Sequence, residues 1–123
     1  MTRPDIDNEE KIKLMVDSFY ALVNEDPLLS PIFNDVAKVN WDHHLPRMYK
    51  FWNTLILSKA QYKGSPFDKH VPLPIDQKHF DRWIGLFHKN IDNHFEGPKA
   101  EDTKMRASSI GHIFSTKLSY LKM

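Results

Sequence analysis

The sequence predicts an all-helical fold with a single domain over residues 1–123. Long stretches carry apolar residues at three- and four-residue steps, which is the spacing of one helix face. No segment alternates apolar and polar residues as a half-buried strand would, and prolines and glycines fall between the periodic stretches. A chain of 123 residues can bury one hydrophobic core and is too short for two ordinary domains.

The first predicted helix covers about residues 8–24. Asp7 or Asn8 can cap it, because a short polar side chain accepts hydrogen bonds from first-turn amides. Pro27 follows its end, and a short helical turn interrupted by Pro31 is expected next. The apolar stripe of the first helix consists of Ile12, Met15, Val16, Phe19, Tyr20 and Val23.

The second predicted helix covers about residues 42–58. Pro46 fits a helix only in its first turn, where no partner for its missing N–H is needed, and this favours a start near Asp42. Gly64 and three prolines then exclude a long helix from residues 59–74, which can hold only a short turn near residues 68–71. The inward residues of the second helix are Leu45, Met48, Phe51, Trp52, Leu55 and Ile56.

Two further helices are expected over about residues 76–95 and 100–121, separated by Gly97-Pro98. In the first of them the predicted inward residues are Phe80, Trp83, Ile84, Phe87, Ile91 and Phe95. In the second they are Ile110, Ile113, Phe114, Leu118 and Leu121.

Composition excludes several function classes. A net charge of +1 with scattered basic residues gives no strong attraction to nucleic acid or an anionic membrane. Because cysteine is absent, disulfides, thiolate zinc sites, iron–sulfur clusters and covalent haem attachment are excluded. The polar, acidic N-terminus and the lack of an apolar run of about 20 residues predict a cytoplasmic protein.

The residues that could carry chemistry are mainly histidines. None of the seven lies three or four residues from another, so no helix presents the paired histidines of many zinc sites. His43 and His44 point about 100° apart on a helix, and His44 shares its face with Met48 and Phe51. Taken alone, these histidines and His70 are most simply surface residues. Tyr20 and Trp83 place hydrogen-bond donors on apolar stripes, where a backbone partner is the ordinary arrangement.

Several short motifs nevertheless occur in a recognisable order. Together they resemble the third group of truncated haemoglobins, over about residues 8–120. The motifs are Phe19-Tyr20, Asp26-Pro27-Leu28, Ile32-Phe33, Trp41-Asp42-His43-His44, Phe51-Trp52, Tyr62-Lys63-Gly64, His70, and the run His79-Phe80-Asp81-Arg82-Trp83-Ile84-Gly85-Leu86-Phe87.

The resemblance implies a two-over-two helical sandwich around a non-covalent b-type haem, with His70 as the proximal ligand of the iron. It places Tyr20, His44 and Trp83 on the distal face, where they would hydrogen-bond a bound gas. His44 is also a second candidate iron ligand, and its spacing favours it over His43 as the inward residue. The implied apolar walls are Met48, Phe51, Trp52, Leu73, Phe80 and Phe87, and the candidates for the haem propionates are Arg47, Lys50, Lys69 and Arg82.

Three functions follow as alternatives. The first is a haem protein that reversibly binds O₂, CO or NO, for transport, storage, sensing or detoxification. The second is a haem enzyme with NO-dioxygenase or peroxidase-like activity, which would need a separate reductase because the chain has no room for a flavin or nicotinamide domain. The third is a helical interaction module without haem.

Overall fold

The computed structural model describes residues 3–59, 70 and 73–121, and these residues form helices and connections without a strand. The predicted all-helical fold is confirmed. The Tyr62-Lys63-Gly64 motif and most of the predicted turn near residues 68–71 lie outside the described residues. The elements are α1 (Glu9–Glu25), a π-helix (Ile32–Val36), α2 (Trp41–Leu57), α3 (Gln77–His94) and α4 (Pro98–Leu121).

Helix α1 begins where a side chain caps it. The Asn8 carboxamide oxygen accepts from the Lys11 backbone N–H at 2.9 Å, so Asn8 rather than Asp7 is the cap. All six apolar positions predicted for the inward face of α1 are buried. The helical turn expected after Pro27 is present, and its main part winds as a π-helix with Pro31 at its start.

Helix α2 begins at Trp41, one residue before the predicted start, and the expectation for Pro46 is wrong. Pro46 is the sixth residue of α2 and therefore lies beyond its first turn. The Asn40 carbonyl accepts from the N–H groups of both His43 and His44, at 3.0 and 2.8 Å, and so closes the first turn before the proline is reached. Pro46 then leaves only the bond expected at the Asp42 carbonyl unmade.

Helices α3 and α4 are joined by a short turn at Phe95–Gly97. Gly97 has a φ of 127°, and a Cβ atom there would lie 2.6 Å from the Asp5 carboxyl carbon. The Asp5 carboxylate accepts from the backbone N–H groups of Lys99 and Ala100, at 3.1 and 2.8 Å. Glycine is therefore required for both the backbone conformation and the close approach of this acidic cap.

The buried face of α4 differs from the predicted one. Ile113 and Leu121 are 50% and 59% exposed, so their inward assignment is wrong, whereas Leu118 is buried as expected. Helix α4 is packed through small residues, because these allow its backbone to approach α3 closely. The buried residues of α4 are Ala100, Thr103, Ala107, Gly111, Ser115 and Leu118.

The helices form two pairs. Helices α1 and α2 pack together as one pair, and α3 and α4 pack together as the other. Helix α1 also packs against α3, so that the two pairs share one core. Within the described part of the chain, no helix is long and apolar enough to cross a membrane. The layered arrangement leaves a cavity between the pairs, and this cavity is the candidate site.

Candidate functional site

A cavity of about 370 Å³ lies among α1, the π-helix, α2, α3 and α4. Its volume falls within the range of pockets that bind small molecules and cofactors, roughly 300–1,000 Å³. Most of the described residues that line it are apolar or aromatic, and its few polar groups are gathered in histidines, Tyr20, Trp83 and Arg47.

His70 lines this cavity. Its ring lies 5.2 Å from that of Phe114 on α4, and its backbone carbonyl accepts from the Leu73 N–H at 3.0 Å. The side chain is partly buried. An imidazole in this position can present one ring nitrogen to a metal held in the cavity.

Tyr20 and His44 approach the cavity from α1 and α2. The Tyr20 hydroxyl lies 3.2 Å from His44 Nε2, while His43 is exposed, so His44 is the inward member of the pair. Burial, followed by the charges of Arg47 and His70, lowers the pKa of His44 to about 4. Burial also raises the pKa of Tyr20 above its ordinary value. Near neutral pH the pair therefore consists of a neutral imidazole and a protonated phenol.

Trp83 completes the group of polar residues and is held by other aromatic rings. It is stacked on Phe87 at 5.3 Å between ring centroids and meets Phe19 edge-on at 5.6 Å. Phe87 is fully buried and also contacts Trp52 at 5.0 Å. Phe87 does not line the cavity; it lies behind Trp83 and Trp52 and supports both.

The other residues expected in the walls are brought together. Met48, Phe51 and Trp52 line the cavity from α2, Phe80 lines it from α3, and Leu73 lies close in sequence to His70. The sequence-based group thus converges on one space, apart from the deeper position of Phe87.

The four basic residues that were predicted to bind the haem propionates do not all lie at the cavity. Arg47 lines the cavity, whereas Lys50 is exposed and does not line it. Arg82 Nε donates to the buried Asp26 carboxylate at 2.6 Å and is also absent from the lining. Lys69 lies outside the described residues. Among the described candidates, only Arg47 is therefore positioned beside the cavity.

Sequence reasoning missed His79 as a lining residue. Its Nδ1 lies 3.1 Å from both the backbone nitrogen and the Oδ1 atom of Asp76, and the Asp76 side chain in turn caps α3. The three-residue spacing of Asp76 and His79, with His in place of Glu or Gln in a capping box, could have predicted the contact between them but not that the His79 ring lines the cavity.

Residues of α4 were also missed, together with the aromatic and aliphatic residues of the π-helix region. Gly111 lies where α4 approaches α3, and a Cβ atom there would be 2.7 Å from Ile84 Cδ1. Hydrophobic periodicity has no signal for such a position, because glycine carries no side chain. The missed lining residues include Phe33, Val39, Ile75, Ile110, Gly111 and Phe114.

The residues present fit a b-type haem. His70, from the connection between α2 and α3, and His44, from α2, line the same apolar cavity. Arg47 lies beside this cavity as a partner for a haem propionate. In residues 3–59, 70 and 73–121, no three acidic or histidine side chains cluster as a metal site would require.

Comparison with known proteins agrees with this geometry. The family model of the bacterial-like globins matches residues 5–113. The chain is 30% identical over 115 residues to the group 3 truncated hemoglobin ctb of Campylobacter jejuni, covering 90% of this chain and 91% of that protein. The crystal structure of a group III truncated hemoglobin from Campylobacter jejuni is similar with a TM-score of 0.85, 30% identity, and coverage of 96% of this chain and 95% of the other. The chain therefore belongs to the bacterial-like globins and, within them, to the group III truncated haemoglobins.

Proposed function

We propose that this globin binds one b-type haem in the cavity, with His70 as the iron ligand, and reversibly binds O₂ and other diatomic gases. The observation that carries the proposal is the convergence of His70, Tyr20, His44 and Trp83 on a single, largely apolar cavity. Membership of the globin family supports the cofactor.

The haem, when bound, would supply an iron that takes up a diatomic gas. The chain's own contribution is to surround that gas with donors in a largely apolar space. The protonated Tyr20 hydroxyl and the Trp83 indole N–H can donate to a ligand that gains negative charge. Neutral His44 can either accept from Tyr20 or donate to the ligand, depending on its tautomer.

The same residues suggest how the cofactor would be oriented. His70 would hold the iron from one side, and Arg47 would pair with a propionate. His79 also lines the cavity, and its Nδ1 is directed to the backbone and the carboxylate of Asp76, so Nε2 is the nitrogen left to face a propionate. The proposal thus adds His79 to Arg47 as a propionate partner in place of Arg82 and Lys50.

The enzyme alternative is favoured by one contact, the 3.2 Å approach of Tyr20 Oη to His44 Nε2. Such a pair can pass a proton to or from a bound group, which NO-dioxygenase or peroxidase-like chemistry would use. A separate reductase and a cytoplasmic location remain expectations of the sequence. Turnover of NO and of peroxide, measured with an external reductant, would decide between the two functions, because a pure gas carrier gives negligible rates.

Haem titration of the apoprotein tests the proposal. The wild-type protein is expected to bind one equivalent of haem, and His70→Gly should lose stable retention in a haem-transfer assay. Added imidazole should restore it, since imidazole can occupy the space that the side chain leaves. His112→Ala is the matched control, because His112 is exposed on α4. Equal haem retention by wild type and His70→Gly would contradict the assignment of His70.

A further inference from the structure

We infer that Asn34 and Trp41 act as positioning residues that hold His44 against Tyr20, so that His44 Nε2 is kept from coordinating the iron. The inference rests on the proposed function, because it concerns a haem in the cavity. It assigns a role to two residues outside the group of Tyr20, His44 and Trp83.

Three aromatic side chains surround the His44 ring. Tyr20 and Trp41 meet it edge-on, with centroid distances of 5.2 and 5.6 Å and interplanar angles of 79° and 83°. Phe33 approaches at 6.4 Å. These rings restrict the orientation of the imidazole on the sides that do not face the cavity.

Trp41 is itself fixed in two ways. Its ring is stacked on Phe33 at 5.8 Å with an interplanar angle of 22°, and its indole N–H donates to Asn34 Oδ1 at 2.9 Å. The stacking contact sets the plane of the indole, and the hydrogen bond prevents it from rotating within that plane. Trp41 lies one helical turn before His44, so a fixed indole limits where the imidazole can go.

The NH₂ group of the Asn34 side chain, which lies away from Trp41, determines how this amide is oriented. Nδ2 lies 2.9 Å from Asn24 Oδ1, and 3.1 Å from both the backbone oxygen and the hydroxyl of Ser30. Since these atoms accept, the NH₂ group must face them and the amide oxygen must face Trp41. Asn34 is exposed, yet its side chain joins the end of α1, the π-helix and the start of α2.

The result is a connected set of contacts that ends at His44 Nε2. That nitrogen is 3.2 Å from the Tyr20 hydroxyl, and it would have to leave this partner to coordinate a metal. While Asn34 holds Trp41, these contacts favour the orientation in which His44 faces Tyr20. Loss of the Asn34–Trp41 hydrogen bond should therefore raise the fraction of protein in which His44 occupies the sixth coordination position.

The test compares Asn34→Leu and Trp41→Phe with the wild-type holoprotein. Both variants remove the indole–amide hydrogen bond, and Trp41→Phe keeps an aromatic ring beside His44. The ratio of six- to five-coordinate haem, read from ferric and ferrous optical and resonance Raman spectra, should rise about five- to tenfold, as expected for one lost hydrogen bond. CO association should slow correspondingly, because His44 must first leave the iron. Asn34→Asp retains an oxygen acceptor for Trp41 but places its second oxygen against the oxygens of Asn24 and Ser30, so it should shift the ratio less than Asn34→Leu.

A second readout does not depend on gas binding. Hydrogen exchange of the Trp41 indole N–H, followed by NMR in the diamagnetic CO-bound protein, should be faster in Asn34→Leu than in wild type. Asn8→Ala is the control for general loss of stability, since it removes the cap of α1 without touching the cavity.

The outcomes are distinguishable. If wild-type protein takes up no haem, the proposed function fails and this inference fails with it. If wild type binds haem but both variants keep its coordination state and CO rates, the inference alone is overturned. An equal shift in Asn8→Ala would also overturn it, because the effect would then come from destabilisation rather than from the position of His44.

Discussion

At the scale of single residues, two buried polar groups, Tyr20 and Asp26, have different roles in this globin. Tyr20 is 8% exposed and is surrounded by aromatic rings, so its hydroxyl acts in a medium that screens charge poorly. Asp26 is also buried and receives three hydrogen bonds, although it lies outside the cavity. The first residue is expected to affect ligand binding and the second to affect stability.

Tyr20→Phe should speed the release of bound O₂ by about five- to thirtyfold, because the lost hydrogen bond contributes roughly 1–2 kcal/mol in a desolvated pocket. Stopped-flow displacement of O₂ by CO measures the rate. Tyr49→Phe is the matched control, since the Tyr49 hydroxyl donates to Asp17 and does not line the cavity. An unchanged release rate in Tyr20→Phe would reduce Tyr20 to a packing residue.

Asp26→Asn should lower the free energy of unfolding at neutral pH by about 1–3 kcal/mol. Burial alone would raise the pKa of Asp26, but hydrogen bonds from Arg82, Leu29 and Leu28 outweigh it and hold this pKa below its ordinary value. The carboxylate therefore contributes stability that is fully present at neutral pH and is lost as the pH falls through the lowered pKa. Urea unfolding at pH 7 and at lower pH measures both effects.

Asp35→Asn is the control for this substitution, because Asp35 is exposed on the π-helix. The acid-dependent loss of stability should be smaller in Asp26→Asn than in wild type or in the control. If Asp26→Asn were as stable as wild type at pH 7, the contact between the end of α1 and helix α3 would not depend on the Asp26–Arg82 ion pair.

At the scale of helices, two glycines on facing helices have opposite roles. A Cβ atom on Gly111 would lie 2.7 Å from Ile84 Cδ1, so Gly111→Ala should separate α3 from α4 and cost about 1–3 kcal/mol of stability. Gly85 has no atom within 4 Å of the equivalent position, and Gly85→Ala should stabilise α3 by about 0.5–1 kcal/mol. Thermal unfolding of both variants measures the difference.

A result of the same sign for both glycines would contradict this account. Gly111 also lines the cavity, so its substitution should alter the haem environment, whereas Gly85→Ala should leave it unchanged. The Soret maximum of each variant provides that second comparison.

Helices were predictable from the sequence to different degrees. The inward face of α1 was predicted residue by residue, because it is built from large apolar side chains at regular spacing. The face of α4 was not, since its buried positions are mostly small or polar and the apolar Ile113 faces solvent. Tertiary packing decided that face, and a single sequence carries no direct signal of which helix will approach closely.

At the scale of the whole molecule, the site could be assembled from sequence only through ordered motifs. Periodicity alone left His70 as a surface histidine, whereas it did favour His44 over His43, and His44 is the one that lines the cavity. The sequence could not predict which basic residue would lie beside the cavity. Arg82 instead pairs with Asp26, which is 56 positions away along the chain. The role of His79 depends on the start of α3 and is equally a property of the fold.

The most direct test of the central claim is an optical spectrum of the purified protein after addition of haem, recorded in the ferric, ferrous and CO-bound states. We expect a Soret band that saturates at one haem per chain, and a further shift of that band with CO that is lost in His70→Gly. A protein that develops no Soret band on addition of haem would contradict the account and would instead favour a helical interaction module.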